Sequence, residues 1–135
     1  MFGSLVRAFR QAVVNFRTEL QRGEPAELTD PGLRALAREI AGVAARVVAL
    51  EAEQRAVALE AEREAREADV CARRFEMARG IGDGETARVA AEFRNRHRRR
   101  RDLFVEKGEL LEREVAERKR DLDEMRAGLG KAVQG

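Results

Sequence analysis

The stretch Gly80-Ile81-Gly82-Asp83-Gly84 interrupts a sequence whose pattern is helical from Pro31 almost to the C-terminus. Glycine suits the position after a helix end, so we expect Gly80 to close one helix in the left-handed conformation. Asp83 can then cap the first N–H groups of the next helix. A phosphate-binding loop would need a following Lys-Ser/Thr and a preceding buried strand, and the sequence has neither here. The stretch therefore predicts a turn over residues 80–84.

The segment before this turn is predicted to be one long helix. Asp30 can act as its N-cap, and Pro31 suits the first helical position because its missing N–H has no partner there. Apolar or small residues recur at three- and four-residue steps at Leu33, Leu36, Ile40, Val43, Val47, Leu50, Val57, Ala61, Ala65, Ala68, Ala72 and Phe75. The consecutive four-residue steps from Val57 to Ala65 depart from a strict heptad, so we expect the supercoil to relax there.

The segment after the turn is predicted to be a second long helix, from Glu85 to about Ala127. Its apolar positions are Val89, Ala90, Phe93, Phe104, Leu111, Val115, Leu122, Met125 and Leu129. Gly108 lies inside it and costs about 1 kcal/mol relative to Ala, which makes a local weak point. We expect residues 131–135 to form a frayed tail. Because each apolar stripe needs a partner, the two helices should fold back as an antiparallel hairpin over residues 31–130.

The composition agrees with a helical hairpin. Of the 135 residues, 39% are charged and only 4% are aromatic, and much of the 44% hydrophobic fraction is alanine. Such a chain is typical of long helices or coiled coil. No stretch approaches the roughly 20 apolar residues of a membrane span. Arginines at the N-terminus interrupt the continuous apolar region that a secretory signal would need. The single cysteine, Cys71, excludes an internal disulfide and fits a reducing compartment, so we expect a cytoplasmic protein.

Residues 1–22 predict a separate short amphipathic helix, followed by a linker over residues 23–30 that contains Gly23 and Pro25. At 100° per residue, seven apolar side chains share one arc of about 100°. They are Phe2, Leu5, Val6, Phe9, Val13, Phe16 and Leu20. Arg17 and Arg10 flank this arc and Arg7 lies farther round, which favours a helix in the interface of an anionic membrane. A helix docked on the hairpin or on another subunit is the alternative.

The strongest charge feature is the run from Arg94 to Arg101, which contains Arg94, Arg96, Arg98, Arg99, Arg100 and Arg101. If the turn centres near Gly82, the run lies beside the acidic stretch around residues 60–69. Pairing of acid with base, within or between hairpins, is then the simpler account. An anion or partner patch, for lipid or protein, is the second interpretation. Nucleic acid is the third, since no aromatic residues alternate with the arginines to stack bases.

Little in the sequence predicts catalysis. His97, beside the arginines, is expected to be solvated, and Cys71 to be a small buried residue near the helix seam. These two residues do not make a metal site, and we predict no metal and no cofactor. Carboxylates spaced three and four residues from arginines are ordinary surface pairs, and two helices offer no dry pocket. We therefore predict that the protein is not an enzyme.

Several segments in order resemble the phage-shock protein A family, which includes the vesicle-inducing protein of plastids. A Phe-containing helix ends at Glu24-Pro25, and the sequences around the turn, Ala72-Arg73-Arg74-Phe75-Glu76-Met77-Ala78-Arg79 and Gly84-Glu85-Thr86-Ala87-Arg88-Val89-Ala90, are similar to the family's Ala-rich tip. The return helix continues through Leu111-Glu112-Arg113-Glu114. The family's further C-terminal helices have no counterpart in this chain, and its arginine run is denser than the family's.

This resemblance implies a bacterial ESCRT-III-like protein, peripheral at the inner face of the cell membrane. It would bind anionic or stressed bilayers through the first helix and maintain or remodel them as a homo-oligomer of hairpins. It also implies a AAA+ transcription activator as a partner of the hairpin in some members. The other hypothesis is a soluble coiled-coil adaptor or regulator that binds an ATPase through the hairpin.

Overall fold

A computed structural model describes residues 7, 10, 11, 14 and 31–134. Helix α1 spans Pro31–Gly80 and helix α2 spans Gly84–Gln134. The two helices pack against each other in antiparallel directions, so the predicted helical hairpin is confirmed. Helix α2 continues past Ala127 to Gln134, farther than the sequence pattern indicated.

The joint between the helices is a Schellman motif. The N–H of Asp83 donates to the carbonyl of Ala78 at 2.9 Å, and the N–H of Gly82 donates to the carbonyl of Arg79 at 3.1 Å. The left-handed residue is Gly82, with φ of 75°, whereas Gly80 is the last helical residue. The prediction that Gly80 takes this conformation was therefore wrong by two residues. Glycine is favoured at Gly82 because a side chain there would strain the backbone.

Asp83 caps helix α2, as predicted. Its carboxylate accepts a hydrogen bond from the Thr86 hydroxyl at 2.7 Å and another from the Thr86 backbone N–H at 3.1 Å. These two hydrogen bonds lower the pKa of Asp83 below its usual value, since both favour the charged form. The side chain thereby satisfies a backbone donor that has no partner inside the helix.

On the side of each helix that faces the other, the inward residues recur at steps that alternate strictly between three and four residues. On α1 these inward positions are Leu33, Leu36, Ile40, Val43, Val47, Leu50, Gln54, Val57, Ala61, Glu64, Ala68, Cys71, Phe75 and Ala78. All of them are buried or half-buried. The expected departure from the heptad is absent from this helix, because the inward side passes through Glu64 and Cys71 and not through Ala65 and Ala72.

The chain forms two compact units. The first comprises Met1–Ala49 with Glu114–Gly135, and the second comprises Leu50–Arg113. In the first unit a continuous apolar core contains Leu33, Leu36, Val43, Leu122, Met125 and Ala132. Ile40, Ala44 and Leu129 pack against it. Large aliphatic side chains on both helices make this core, so hydrophobic burial holds the first unit together.

The second unit has a different interior. Near the joint its buried residues are small, and include Ala68, Cys71, Ala78, Ala87 and Ala90. Farther along α2, the inward positions are Arg94, His97, Arg101, Phe104 and Gly108. From Ala61 to the joint on α1, and from the joint to Gly108 on α2, the interior therefore consists mostly of small and polar residues, and less apolar area stabilises this part. Leu50, Val57 and Leu111 supply buried aliphatic side chains at the other end of the unit.

Candidate interaction surfaces

Glu64 and His97 contact each other across the interior of the second unit. The distance from Glu64 Oε2 to His97 Nδ1 is 2.5 Å, and the side chains are only 14% and 18% exposed. The expectation that His97 is solvated was therefore wrong. Both residues occupy inward heptad positions, so the hairpin carries a polar layer where an apolar one would be expected. Cys71 is buried, as predicted.

The arginine run does not pair with the acidic stretch of α1 in the way we expected. Glu64 contacts His97, and Glu60 pairs with Arg63 on its own helix at 3.2 Å. Arg101 pairs with its neighbour Asp102 at 2.9 Å. Arg94 lies over the Phe75 ring of α1, with its guanidinium carbon 5.0 Å from the ring centre. A cation–π contact thus replaces the carboxylate partner predicted for Arg94.

Four arginines of the run are exposed and have no ion pair among the described residues. They are Arg96, Arg98, Arg99 and Arg100. Pairs such as Arg96 with Arg100 are four residues apart on one helix, and each such like-charge pair destabilises the helix by about 0.2–0.5 kcal/mol. Across residues 88–101, seven arginines face one glutamate in the sequence. The second unit therefore carries a concentration of positive charge that the hairpin itself does not neutralise.

An exposed stripe runs along α2 beside its inward face, and we call it the α2 stripe. Its positions again alternate by four and three residues: Val89, Phe93, Arg96, Arg100, Leu103, Lys107 and Leu110. Phe93 is 45% exposed and Leu103 is 64% exposed. Our assignment of Val89 and Phe93 to the apolar face that packs on α1 was therefore wrong. The stripe contains no acidic residue.

A groove of about 320 Å³ lies between α1 and the α2 stripe. Its apolar lining includes Cys71, Val89, Ala90 and Phe93, and its polar lining includes Glu67, Arg74, Thr86 and His97. A second groove, of about 450 Å³, shares Arg74 and Thr86 and adds Met77 and Ile81 at the joint. Apolar surface therefore continues from the joint along one side of the second unit.

The Arg96 side chain is held on the stripe by a contact with the Phe93 ring. Its guanidinium carbon lies 5.1 Å from the centre of the Phe93 ring. This contact holds the charge next to an exposed apolar side chain. Lys107 pairs with Glu53 of α1 at 3.5 Å. Arg96 and Arg100 therefore remain as the cations of the stripe without a carboxylate partner among the described residues.

Of the N-terminal segment, the structure describes Arg7, Arg10, Gln11 and Val14, each helical and exposed. Arg10 forms an ion pair with Glu124 of α2, inside the first unit. In the predicted first helix all four positions lie outside the apolar arc, with Arg10 at its edge. The arc itself, with Phe2, Leu5, Val6, Phe9, Val13, Phe16 and Leu20, lies outside the described residues, as does Arg17. The predicted first helix therefore stays a prediction.

Arg118 was not anticipated from the sequence. It occupies an inward heptad position of α2 in the first unit and is only 3% exposed. It pairs with Glu117 at 3.1 Å and with Asp121 at 3.5 Å. The heptad count from Leu111 and Val115 would have found it, because the next inward position falls on residue 118.

No group of three or more His, Cys, Asp or Glu side chains is placed to hold a metal ion within the described part of the chain. None of the described helices is apolar over a long enough stretch to span a bilayer.

Comparison with known proteins returned no match to a protein-family model, to a curated protein or to a solved structure. The resemblance to the phage-shock protein A family therefore stays a prediction.

Proposed function

We propose that the protein is a non-enzymatic peripheral membrane protein that binds anionic bilayers through residues 1–22. The hairpin would act as its scaffold, and an oligomer of hairpins would maintain or remodel the membrane. The observation that carries this proposal is the apolar arc of seven residues in the first segment, flanked by Arg10 and Arg17. An arc of about 100° with arginines at its edge matches the requirements of a membrane interface. The family resemblance implies the same activity.

The ion pair between Arg10 and Glu124 is one for which an anionic membrane can compete. Both side chains are largely exposed, at 61% and 43%, so the pair contributes at most about 1 kcal/mol. Phosphate headgroups can replace the Glu124 carboxylate as the partner of Arg10, since both are anionic acceptors. Arg10 would then exchange Glu124 for a headgroup at little cost when an anionic surface is present.

Flotation of the full-length protein with anionic vesicles tests this proposal. Val13 and Val14 offer a matched pair, because only Val13 lies on the apolar arc. We expect Val13→Glu and Phe9→Glu to abolish flotation, since each places a carboxylate in the apolar interface. Val14→Glu adds the same charge beside the arc and should retain flotation. Equal flotation of all three variants and the wild type would contradict the proposal.

A second candidate function is a coiled-coil adaptor or regulator that binds an ATPase, of the AAA+ class by the family resemblance. The exposed α2 stripe favours it, since heptad spacing on an exposed helix face suits a helical partner. This candidate predicts a stable oligomer without lipid that buries the first segment. Light scattering of the wild type and of Phe9→Glu separates the two functions, because only the adaptor would lose its oligomer on this change without lipid.

A further inference from the structure

The α2 stripe has the spacing of a second helix-packing surface. Seven consecutive positions alternate by four and three residues from Val89 to Leu110, which spans roughly 32 Å of helix at 1.5 Å per residue. Four of these side chains are apolar and exposed: Val89, Phe93, Leu103 and Leu110. Their exposed fractions are 38%, 45%, 64% and 58% in that order. An exposed surface with this repeat offers holes for the side chains of another helix.

The width of the stripe distinguishes a helical partner from a membrane. Two heptad positions four residues apart cover only about 50° of the helix surface, which is the narrow seam of a coiled coil. A helix that lies in a bilayer interface needs a wider apolar face. The next positions round α2 also include Glu92 and Glu106, whose carboxylates would meet the headgroups of an anionic bilayer.

The charge of the stripe indicates that a partner helix would have to be acidic. Arg96 and Arg100 lie at its middle, and neither has a carboxylate partner among the described residues. A partner helix without acidic residues would bury these two charges unpaired, which is costly. In the groove beside Phe93, the charges of Glu67 and Arg74 offset each other. Glu92 and Glu106 lie one position farther round α2 and outside the stripe, so within the stripe itself Arg96 and Arg100 set the sign of the charge.

A second copy of this chain is a poor occupant of the same surface. If two α2 stripes packed antiparallel, the centre of the contact would fall between Arg96 and Arg100, and the four arginines of the two copies would meet there. Like charges placed opposite each other in an interface disfavour association. The first segment of another copy also fits poorly, since Arg10 and Arg17 flank its apolar arc and Arg7 lies farther round.

We propose that the α2 stripe is a docking surface for an acidic amphipathic helix of another protein. The apolar side chains of that helix would pack on Phe93 and Leu103, and its carboxylates would pair with Arg96 and Arg100. This inference goes beyond the membrane activity of the first segment, because it assigns a protein-binding surface to the second unit of the hairpin.

A fluorescent designed peptide tests the proposal with the full-length protein. The peptide carries leucine at the a and d positions of three heptads and glutamate beside them, and a matched peptide has lysine in place of every glutamate. We expect saturable binding of the acidic peptide, detected by anisotropy, and binding at least about tenfold weaker for the lysine peptide, since electrostatic complementarity sets partner choice. Equal binding of both peptides, or no saturable binding of the acidic one, would overturn the proposal.

Two pairs of matched variants locate the binding. Leu103 lies on the stripe and Leu59 on α1, with nearly equal exposures of 64% and 62%. We expect Leu103→Glu to weaken binding of the acidic peptide at least about tenfold and Leu59→Glu to leave it unchanged, since only one of them lies in the contact. Arg100→Gln should weaken binding, whereas Arg98→Gln, on the other side of α2, should not. The melting temperatures of the variants, measured by circular dichroism, must agree, so that a loss of binding does not reflect unfolding. If both variants of either pair weakened binding equally, the assignment of the α2 stripe as the binding surface would be refuted.

Cys71 provides an independent reporter, because it lines the groove beside Phe93 and is the single thiol of the chain. We expect the acidic peptide to slow the reaction of Cys71 with a thiol reagent several-fold in the wild type and not in Leu103→Glu. A self-association that Leu103→Glu abolishes would show that the occupant is a second copy. Vesicle binding that depends on Leu103 would show a membrane. Either result would overturn the proposal.

Discussion

Glu64 and His97 lie 2.5 Å apart between their nearest side-chain atoms, at inward positions of two different helices. Each occupies a position where the heptad pattern calls for an apolar residue. Polar groups at such positions commonly fix the register of paired helices at a cost in stability. We interpret the pair as a register-setting contact, and this hypothesis gives the first prediction.

Replacing His97 alone by leucine should lower the free energy of unfolding by about 1–3 kcal/mol, because the partly buried Glu64 carboxylate would lose its partner. The double variant Glu64→Leu with His97→Leu should unfold at a higher temperature than the wild type, since an apolar layer then replaces the polar one. Urea denaturation of the two single variants and the double variant measures the coupling. Additive effects of the single changes would show that the contact contributes nothing.

Gly108 faces Val57 inside the second unit, and a methyl group added to it would lie 3.9 Å from Val57 Cγ1. This is ordinary van der Waals contact. Gly108→Ala should therefore stabilise the protein by about 1 kcal/mol or more, from helix propensity plus the new contact. Gly42→Ala is the control, because nothing lies within 4 Å of its added methyl group and only propensity acts. A fall in the melting temperature of Gly108→Ala would show that the helices require closer approach there.

The cap at Asp83 should make stability depend on pH in a defined direction. Its pKa is lowered in the folded state by the Thr86 hydroxyl and the Thr86 backbone N–H. The stabilisation is therefore present above the pKa of the unfolded state and is lost as the pH falls through the folded-state pKa. We expect Asp83→Ala to lower the melting temperature at neutral pH, with the difference from the wild type shrinking in acid.

Asp69→Ala provides the control for this pH dependence. Asp69 is exposed on α1 and has no hydrogen bond or ion pair among the described residues, so its replacement removes a carboxylate without removing a helix cap. A pH-independent difference between Asp83→Ala and the wild type would contradict the role of the Asp83 carboxylate.

The ion pair of Arg10 with Glu124 predicts a gain in membrane binding. Glu124→Gln removes the carboxylate that competes with lipid phosphate for Arg10. Because an exposed pair is worth at most about 1 kcal/mol, affinity for anionic vesicles should rise by no more than about fivefold, and the gain should disappear in high salt. Co-sedimentation with vesicles measures it.

Asp123→Asn controls for net charge, since it removes one negative charge next to Glu124 without touching this ion pair. If Asp123→Asn raises vesicle affinity as much as Glu124→Gln does, general electrostatics explain the gain and the contact with Arg10 does not.

The helices and their joint were predictable because the signals are local. Asp83 and the glycines around it mark the end of one helix and the start of the next through the backbone conformations they allow. The residue in the left-handed conformation was misassigned, since three glycines in five residues make the signal ambiguous. Gly82 takes this role because it lies two residues beyond the last residue of α1.

The middle of the hairpin was harder to predict for a different physical reason. Alanine occurs on every side of α1, so the apolar pattern could not distinguish Ala65 from the inward Glu64. Extending the heptad phase set by the leucines of the first unit would have found Glu64. The same count, run backwards along α2 from Leu111, would have placed Phe93 outside the core.

Helix phase also explains why the arginines of the run do not pair with the acidic stretch inside one hairpin, whereas pairing between hairpins stays a prediction. Counting residues in both directions from the turn places Glu62 and Asp69 at the same height along the hairpin as the arginines. Both carboxylates, however, lie on the side of α1 that faces away from α2, and both are exposed. Residues at the same height along two helices interact only when their side chains also point toward each other.

Because the three-and-four alternation of inward positions is unbroken, the length of the second unit can change only by whole heptads if its interior is to be kept. Removing seven residues from each helix, at equal distances from the joint, would return every remaining side chain to its original side. Removing a number that is not a multiple of seven would rotate the far part of the helix and turn inward side chains outward. Insertions and deletions can therefore move the α2 stripe relative to Gly82 only in steps of about 10 Å, one heptad at 1.5 Å per residue.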